Sequence, residues 1–226
     1  EIVLVDVNLE RAEGEAMDIS HGAPFAKSSV IRAGSYEDTK GSDVVIITAV
    51  TNQKPGETRI DLITRNAAIM RDVAGRVGEQ SPNAVILVIS NPVDVMTYVA
   101  RQVTGFPKNR VIGSGTVLDS SRFRYLLANR FDIDPRNVHG YIMGEHGDSE
   151  FPAWSLVNIA GMSLDEASDL FNKEINDEVR QSIADSTRNA AYEIINRKGA
   201  TYYGIGMSAT RIVEAIVRDE RSIMTV

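Results

Sequence analysis

The chain has 226 residues, a formal net charge of −7 and no cysteine. An acidic chain without a basic patch is not expected to bind nucleic acid, and a chain without cysteine has neither disulfides nor thiolate metal sites. The longest apolar runs, VVII at 44–47 and AVILVI at 84–89, are far shorter than the ~18 residues of a membrane span. The chain length predicts a globular protein of one or two domains, and the absence of cysteine fits a reducing compartment, so we expect the cytoplasm.

The first half of the chain alternates strand and helix patterns. Short apolar runs predict strands over 1–5, 28–34, 43–50, 83–90 and 110–115. Helical spacing lies between them, over 8–22, 60–80 and from Asn91 to about Gly105. This alternation predicts an α/β fold with a parallel sheet and right-handed crossovers.

The second half has a different pattern and predicts an α+β domain after a boundary near 113–118. We expect a helix over 119–133, strand-like segments over 137–144 and 152–161, one long helix over roughly 165–197 and a helix at about 204–219. SIMTV at 222–226 begins a further strand. Because the first residues already read as the inside of a strand, we also expect sequence before Glu1.

Ligands of open parallel sheets bind at the carboxyl ends of the strands. Asp6 ends the first strand, Val50 and Thr51 end the third, and Ser90 and Asn91 end the fourth. Asp6 has two interpretations: it accepts hydrogen bonds from the ribose of a dinucleotide, or it caps the following helix. The Gly-rich phosphate turn that would distinguish them belongs upstream of Glu1.

Two polar segments are candidate parts of an active site. The loop TNQKPGETR at 51–59 carries Gln53 and Arg59 around a Pro–Gly pair, which is typical of an active-site lid and also of a solvated surface loop. MGEHGDSE at 143–150 holds His146, one of only three histidines. Imidazole titrates near neutral pH and is the usual proton carrier of acid–base catalysis, although a surface loop would also tolerate it.

The segment DSSRFR at 119–124 adds charged groups at the start of a helix. Asp119 and Arg122 are three residues apart and share one face, whereas Arg124 points elsewhere. A guanidinium can grip a carboxylate with two hydrogen bonds, and Asp119 could fix the tautomer of His146. The alternative is a helix-capping Asp with exposed arginines. The scattered histidines and absent cysteines predict no metal site.

Six motifs in order resemble the bacterial L-lactate dehydrogenases of the lactate/malate dehydrogenase superfamily. They are DVN at 6–8, NQKPGETR at 52–59, SNPVD at 90–94, GSGTVLDSSRFR at 113–124, GEHGDSE at 144–150 and GATYYGIG at 199–206. The resemblance implies a Rossmann-type NAD-binding domain over 1–114 and a substrate domain over 115–226, both incomplete at the chain ends. It also implies NAD as cofactor, pyruvate and lactate as substrates, and a homotetramer acting in glycolysis and fermentation.

The resemblance also assigns roles to matching residues. His146 would exchange the proton, paired with Asp119, while Arg59 polarises the reacting carbonyl. Substrate binding would fall to Gln53, Arg59, Asn91, Arg122 and Thr201. Cofactor binding would fall to Asp6, Arg11, Tyr36, Val50, Thr51, Ser90, Asn91 and Ile205.

Three positions carry finer expectations. Gln53 is neutral where related malate dehydrogenases have an arginine, which favours pyruvate over oxaloacetate because a second substrate carboxylate would be buried unpaired. Arg124 and His139 match positions that bind fructose 1,6-bisphosphate in allosteric relatives; on a continuous strand His139 and His146 would face opposite ways. Val50–Thr51 replaces the usual Gly–Ala, which predicts weaker cofactor binding.

Two alternatives stay open at this point. The first is a malate or broader 2-hydroxy-acid dehydrogenase, which a comparison of pyruvate with oxaloacetate would distinguish. The second is a non-catalytic nucleotide-binding paralogue that keeps the fold. The intact set of His146, Asp119, Arg122, Arg59 and Asn91 disfavours this second alternative, because folding alone does not require those residues.

Overall fold

A computed structural model describes residues 1–26, 28–51, 56 and 58–226, without the side chain of Arg59. The chain forms two compact units. The first contains Glu1–Ser90 and Met96–Val111, and the second contains Asn91–Val95 and Ile112–Val226. Among the described residues, none of the helices has the length and apolar character needed to cross a membrane.

The first unit is built from parallel strands and helices, in the order β1 (Ile2–Leu4), α1 (Leu9–His21), β2 (Ile31–Ala33), β3 (Val44–Ile47), α2 (Arg59–Gln80), β4 (Val85–Val88), α3 (Val93–Thr104) and β5 (Val111–Gly113). The division between the units falls within α3 and within β5. β1 pairs with β2 in parallel, and β3 pairs with β4 in parallel. The predicted Rossmann-type α/β fold is confirmed, with its strands in two sheets, β1-β2 and β3-β4-β5.

The core of the first unit contains β4, which is buried on both faces. Ile86, Leu87 and Val88 are completely buried, so side chains on both faces of β4 avoid water. Met70 of α2 and Met96 of α3 are equally buried. A strand covered on both faces gives the continuous apolar run seen in the sequence.

The second unit has short antiparallel strands and four helices. They follow in the order α4 (Val117–Phe131), β6 (Val138–His139), β7 (Ile142–Met143), β8 (Phe151–Pro152), β9 (Asn158–Ile159), β10 (Met162–Ser163), α5 (Leu164–Phe171), α6 (Asp177–Lys198) and α7 (Tyr203–Val217). The strands form two sheets, β10-β9-β6 and β7-β8. Phe123 of α4 is fully buried at the centre of the core, with its ring centroid 5.0 Å from that of Trp154.

Three sequence predictions about this unit were wrong. The single helix over 165–197 is two helices, because Asn172 adopts a left-handed conformation (φ 51°) that ends α5 and Asn176 caps α6 through the N–H of Val179. Asparagine suits both positions, since its short polar side chain tolerates positive φ and accepts backbone hydrogen bonds. The segment 137–144 is two strands in different sheets, and 222–226 forms no strand.

Candidate active site

The N-terminus of α4 is fastened to β7, and this fixes where Asp119 lies. The Thr116 hydroxyl donates to the carbonyl oxygen of Ile142 (2.6 Å), and the Ile142 N–H donates to the hydroxyl of Ser120 (2.9 Å). Gly115 has a positive φ of 48° and sits so close to the backbone of Thr225 that a Cβ would collide with it. Only glycine therefore fits the turn into α4.

The segment that carries His146 closes the β7-β8 hairpin, in which Met143 pairs with Phe151. Gly144 and Gly147 have φ values of 95° and 133°, which L side chains rarely adopt. The N–H of His146 donates to Asp94 Oδ2 at 3.0 Å. The loop is thus held at its two ends and near its tip, so the imidazole has a defined position.

Asp119, His146 and Arg122 form one hydrogen-bonded cluster in the second unit. His146 Nδ1 lies 2.6 Å from Asp119 Oδ2, and Arg122 Nη1 donates to Asp119 Oδ1 at 2.8 Å. The predicted shared face of Asp119 and Arg122 is confirmed. Asp119 is only 2% exposed, so both bonds lie in a region from which water is largely excluded.

The electrostatics of this cluster favour the charged imidazole. The hydrogen bond to Asp119 raises the pKa of His146 above its usual value, against the lowering effect of burial. Because Nδ1 is bonded to a carboxylate, it carries the hydrogen, and Nε2 is the nitrogen left to exchange a proton. Within the described part of the chain, Asp119 is the one hydrogen-bond partner of Arg122, whose remaining donors can bind an anion.

A third acidic residue, Glu150, lies beside this pair and was missed by the sequence analysis. Its Oε2 atom is 3.9 Å from His146 Nδ1, and Glu150 is only 5% exposed. Burial, followed by the charge of Asp119, raises the pKa of Glu150 to about 7. Its spacing of four residues from His146 was readable in the sequence, but nothing in the motif indicated burial.

The expectation of no metal-ligand cluster needs correction. Asp119, His146 and Glu150 bring three potential ligand atoms within 4.8 Å of one another. The 2.6 Å contact between His146 Nδ1 and Asp119 Oδ2 is nevertheless a direct hydrogen bond. A metal ion between these atoms would need about 2 Å to each of them, so the arrangement is that of a proton-sharing pair.

Asp6 lies two residues after the end of β1 in the first unit. The structure tests whether it caps the following helix. Asn8, not Asp6, is the N-cap of α1, since its side chain accepts from the N–H of Arg11. Asp6 accepts the N–H of Asn8 through Oδ1 (2.8 Å) and is exposed. The helix-capping interpretation of Asp6 is therefore wrong.

The other predicted cofactor residues of this unit lie at strand ends or on the surface. Arg11 is exposed on α1, and Tyr36 is half-buried with the Arg76 guanidinium carbon 5.1 Å from its ring centroid. Burial raises the pKa of Tyr36. Ser90 is buried, and its hydroxyl donates to the carbonyl of Ala49 at 2.9 Å, which ties the ends of β3 and β4 together.

The departure at Val50–Thr51 has a local structural account. The N–H of Thr51 donates to Asn66 Oδ1 at 3.0 Å, and Arg65 Nε donates to the Thr51 hydroxyl at 2.7 Å. Both partners belong to α2, so the hydroxyl that glycine or alanine would lack fastens the strand end to that helix. Val50 is 43% exposed. Weaker cofactor binding stays a prediction.

The remaining predicted site residues of the second unit lie on three segments. Asn91 is exposed and precedes Pro92 through a cis peptide bond. Thr201 is partly exposed in the connection between α6 and α7, and Ile205 lies on the first turn of α7. Gln53 lies outside the described residues. Arg59 begins α2 after its N-cap Thr58, and its side chain is not described.

Arg124 and His139 lie on adjoining segments of the second unit. Arg124 Nε donates to the carbonyl of Val138 at 2.6 Å, and Nη2 donates to the carbonyl of Pro135 at 3.3 Å. His139 follows Val138 on β6 and is exposed. The prediction that Arg124 points away from the Asp119–Arg122 face is confirmed. The expectation that one continuous strand joins His139 and His146 and turns them to opposite faces was wrong, because His139 and the hairpin holding His146 belong to different sheets.

The strand ends of the first unit fit the adenosine half of a dinucleotide. Asp6 offers an exposed carboxylate for ribose hydroxyls, and Oδ2 is not used by the neighbouring backbone. Val7, next to Asp6 along the chain, is fully exposed, and Val50, which follows β3, is 43% exposed. An exposed carboxylate can accept hydrogen bonds from ribose hydroxyls, and exposed apolar side chains can pack against an adenine ring.

Comparison with known proteins agrees with this geometry. Residues 1–113 match the model of the lactate/malate dehydrogenase NAD-binding domain, and residues 116–226 match that of the lactate/malate dehydrogenase alpha/beta C-terminal domain. L-lactate dehydrogenase 1 of Clostridium acetobutylicum is 57% identical over all of this chain and 72% of its own length. L-lactate dehydrogenase of Thermoanaerobacter sp. is 53% identical, also over all of this chain and 72% of its own length.

Solved structures give the same result. A lactate dehydrogenase from a Medee basin deep-sea metagenome library superposes with a TM-score of 0.94 at 49% identity, over 98% of this chain and 71% of that one. The minor L-lactate dehydrogenase of Enterococcus mundtii, in a ligand-bound form, gives 0.92 at 47% identity with the same coverage. The fold and the site thus define an NAD-dependent oxidoreductase. The chain belongs to the lactate/malate dehydrogenase family, and the resemblance to its bacterial L-lactate dehydrogenases is confirmed.

Proposed function

We propose that the protein interconverts pyruvate and L-lactate. The observation that carries this proposal is the buried cluster in which Asp119 binds both His146 and Arg122, in a chain more than half identical to proteins named L-lactate dehydrogenase. NADH, when bound, supplies the hydride for the carbonyl carbon. We propose residues 1–114 as the cofactor-binding domain and 115–226 as the substrate domain.

His146 supplies the proton in this proposal. As imidazolium it donates from Nε2 to the oxygen of the pyruvate carbonyl, and as neutral imidazole it accepts the proton of the lactate hydroxyl. Asp119 keeps the hydrogen on Nδ1 and stabilises the cation. Because the pKa of His146 is raised, pyruvate reduction should decline as pH rises through that pKa, while lactate oxidation should increase.

The remaining residues bind and orient the ligands. Arg122 holds the substrate carboxylate with the donors that Asp119 leaves available. Arg59 and Asn91 stabilise the charge that develops on the carbonyl oxygen, and Thr201 lines the substrate pocket. The cofactor contacts are assigned to Asp6, Arg11, Tyr36, Val50, Thr51, Ser90, Asn91 and Ile205.

Gln53 is proposed to choose between pyruvate and oxaloacetate. The test is NADH oxidation with each substrate, comparing the wild type with Gln53→Arg. The wild type should prefer pyruvate, and Gln53→Arg should move the ratio of kcat/KM toward oxaloacetate by at least about 100-fold, because the new cation pairs with the second carboxylate. A wild-type preference for oxaloacetate would make the protein a malate dehydrogenase instead.

Arg124 and His139 are proposed to bind fructose 1,6-bisphosphate as an activator. The support is that two cationic or protonatable side chains lie on adjoining segments, and that these segments would be doubled across a two-fold axis. Activation by the bisphosphate should be lost in Arg124→Ala and retained in Arg130→Ala, which removes an exposed arginine from the same helix. Equal activation of both variants would refute the site.

The assembly and cellular setting complete the proposal. We propose a homotetramer that works in the cytoplasm, in glycolysis and fermentation. Analytical ultracentrifugation of the protein with and without the bisphosphate measures the assembly directly. A monomer under both conditions would contradict the tetramer and the shared effector site together.

A further inference from the structure

Glu150 is a buried acid that the mechanism above does not use. It is the last residue before β8, and its N–H donates to the carbonyl oxygen of Gly147 at 3.2 Å. Its Oε2 atom is buried and has no hydrogen-bond partner among the described residues, yet it lies 3.9 Å from His146 Nδ1. A buried carboxylate oxygen without a partner is costly to keep, so its position beside the imidazole calls for a role.

The charged groups around Glu150 come from three elements. Asp119 of α4 acts on it by its charge, with Arg122 bound to the other oxygen of Asp119. His146 belongs to the same loop, and Arg188 of α6 donates from Nη2 to the Glu150 carbonyl at 3.3 Å. Arg188 also binds Asp185 at 3.0 Å, so part of its charge is already matched. Protonated His146 therefore faces two buried acids, Asp119 at 2.6 Å and Glu150 at 3.9 Å.

A charge count shows what this arrangement does. When His146 is protonated and Glu150 is ionised, Asp119 and Glu150 carry two negative charges against the two positive charges of His146 and Arg122. Loss of the His146 proton leaves one buried negative charge unmatched, so two acids, not one, resist deprotonation of the imidazole.

We propose that Glu150 is a positioning residue that acts on His146 across 3.9 Å, so that Asp119 and Glu150 jointly set the proton affinity of the imidazole. Asp119 does this by a direct hydrogen bond and Glu150 by its charge alone. The catalytic consequence rests on the proposed function, whereas the effect on the imidazole does not.

The same geometry couples the titration of the two residues. Burial and Asp119 raise the pKa of Glu150, into the range where His146 also titrates. Two groups this close lose their protons in steps that belong to the pair. A substrate carboxylate on Arg122 would add a further negative charge, which favours proton uptake by Glu150 when substrate binds.

The test follows the imidazole directly. NMR titration of histidine ring signals is tractable because the chain has only three histidines, and His146→Gln assigns the signal. We expect Glu150→Gln to lower the pKa of His146 by about one unit, a tenfold weaker hold on the proton, and Glu150→Asp to restore part of it. Glu145→Gln, an exposed neutralisation next to His146, should leave it within about 0.3 unit.

The outcomes separate this proposal from the function. If the His146 pKa is the same in Glu150→Gln, Glu145→Gln and the wild type, Glu150 has no part in setting it and the proposal is wrong. If the His146 pKa falls in Glu150→Gln and not in Glu145→Gln, but the wild type does not reduce pyruvate, the positioning role stands and the proposed function fails. If both hold, the upper limb of the pyruvate reduction profile should move down by the same shift as the NMR titration.

A substitution that disturbs the fold is recognised separately. Circular dichroism and the His139 ring signal, from another sheet of the same unit, should match the wild type in Glu150→Gln. If these signals differ from the wild type, Glu150→Asp replaces Glu150→Gln in the test, because its shorter side chain keeps the charge but moves it away from His146. The pKa of His146 in Glu150→Asp should then lie below that of the wild type. An unchanged pKa would overturn the proposal.

Discussion

The two units treat their key carboxylates in opposite ways. Asp6 in the first unit is exposed at the end of a strand and makes one short-range bond to the backbone N–H of Asn8. Asp119 in the second unit is 2% exposed and holds two cationic or protonatable partners with its two oxygens. Asp6 keeps an exposed oxygen that a ligand can bind, whereas both oxygens of Asp119 are already bound to His146 and Arg122 before substrate binds.

This contrast predicts that the same Asp→Asn change has very different consequences in the two units. Asp119→Asn should have the largest effect, because an amide can neither stabilise the imidazolium nor hold one tautomer. We expect kcat for pyruvate reduction to fall about 10³-fold or more, with the activity that remains confined to lower pH. Steady-state NADH oxidation across pH measures both.

Asp134→Asn is the matched control for that substitution. It removes an exposed carboxylate of the same unit, whose one partner among the described residues is Arg136. Its kcat should stay close to that of the wild type. A loss below tenfold in Asp119→Asn would mean that the buried pair does not carry the chemistry.

Arg122→Lys should have the next largest effect. Lysine keeps the charge but loses the planar fork, so it cannot serve Asp119 and a substrate carboxylate with parallel hydrogen bonds. We expect kcat/KM for pyruvate to fall about 100-fold while NADH affinity stays unchanged. Arg130→Lys, on an exposed turn of the same helix, controls for the substitution. An equal loss of NADH affinity would point to a folding defect rather than substrate binding.

The same contrast shows which features could be read from the sequence. Spacing of three on a helix placed Asp119 beside Arg122, and one apolar run marked β4 as buried. The break at Asn172 was missed because asparagine fits both a helix surface and a left-handed cap. Glu150 was missed because its surroundings include Asp119 of α4 and Arg188 of α6, which are distant in sequence. Local pattern predicts local geometry, and contacts between distant elements decide which acids are buried.

Glu150→Gln is expected to change stability with pH. The folded-state pKa of about 7 lies above the unfolded value near 4.3. The protonated acid therefore favours the folded state, and this contribution is complete below pH 4.3 and lost as pH rises through 7. Glutamine does not titrate, so the variant should gain about 1–3 kcal/mol over the wild type between pH 5 and pH 8.

Urea denaturation at the two pH values measures this gain. Glu145→Gln should show a change close to zero over the same interval, because its exposed carboxylate meets nearly the same solvent in both states. A difference between wild type and Glu150→Gln that is independent of pH would show that burial does not hold a proton on Glu150.

Asp6→Asn should have the smallest effect, and it probes the other side of the comparison. An exposed amide still accepts the Asn8 N–H and can still accept from a ribose hydroxyl, but without the charge. Since charge-assisted hydrogen bonds exceed neutral ones by about 1 kcal/mol, NADH should bind about fivefold more weakly. Fluorescence titration measures this affinity, and Asp18→Asn, an exposed acid on α1, is the control.

Because Asn8 caps α1 without help from Asp6, thermal stability should be unchanged. A fall in stability with unaltered NADH affinity would assign Asp6 to the fold instead, and the contrast with Asp119 would then be one of burial alone.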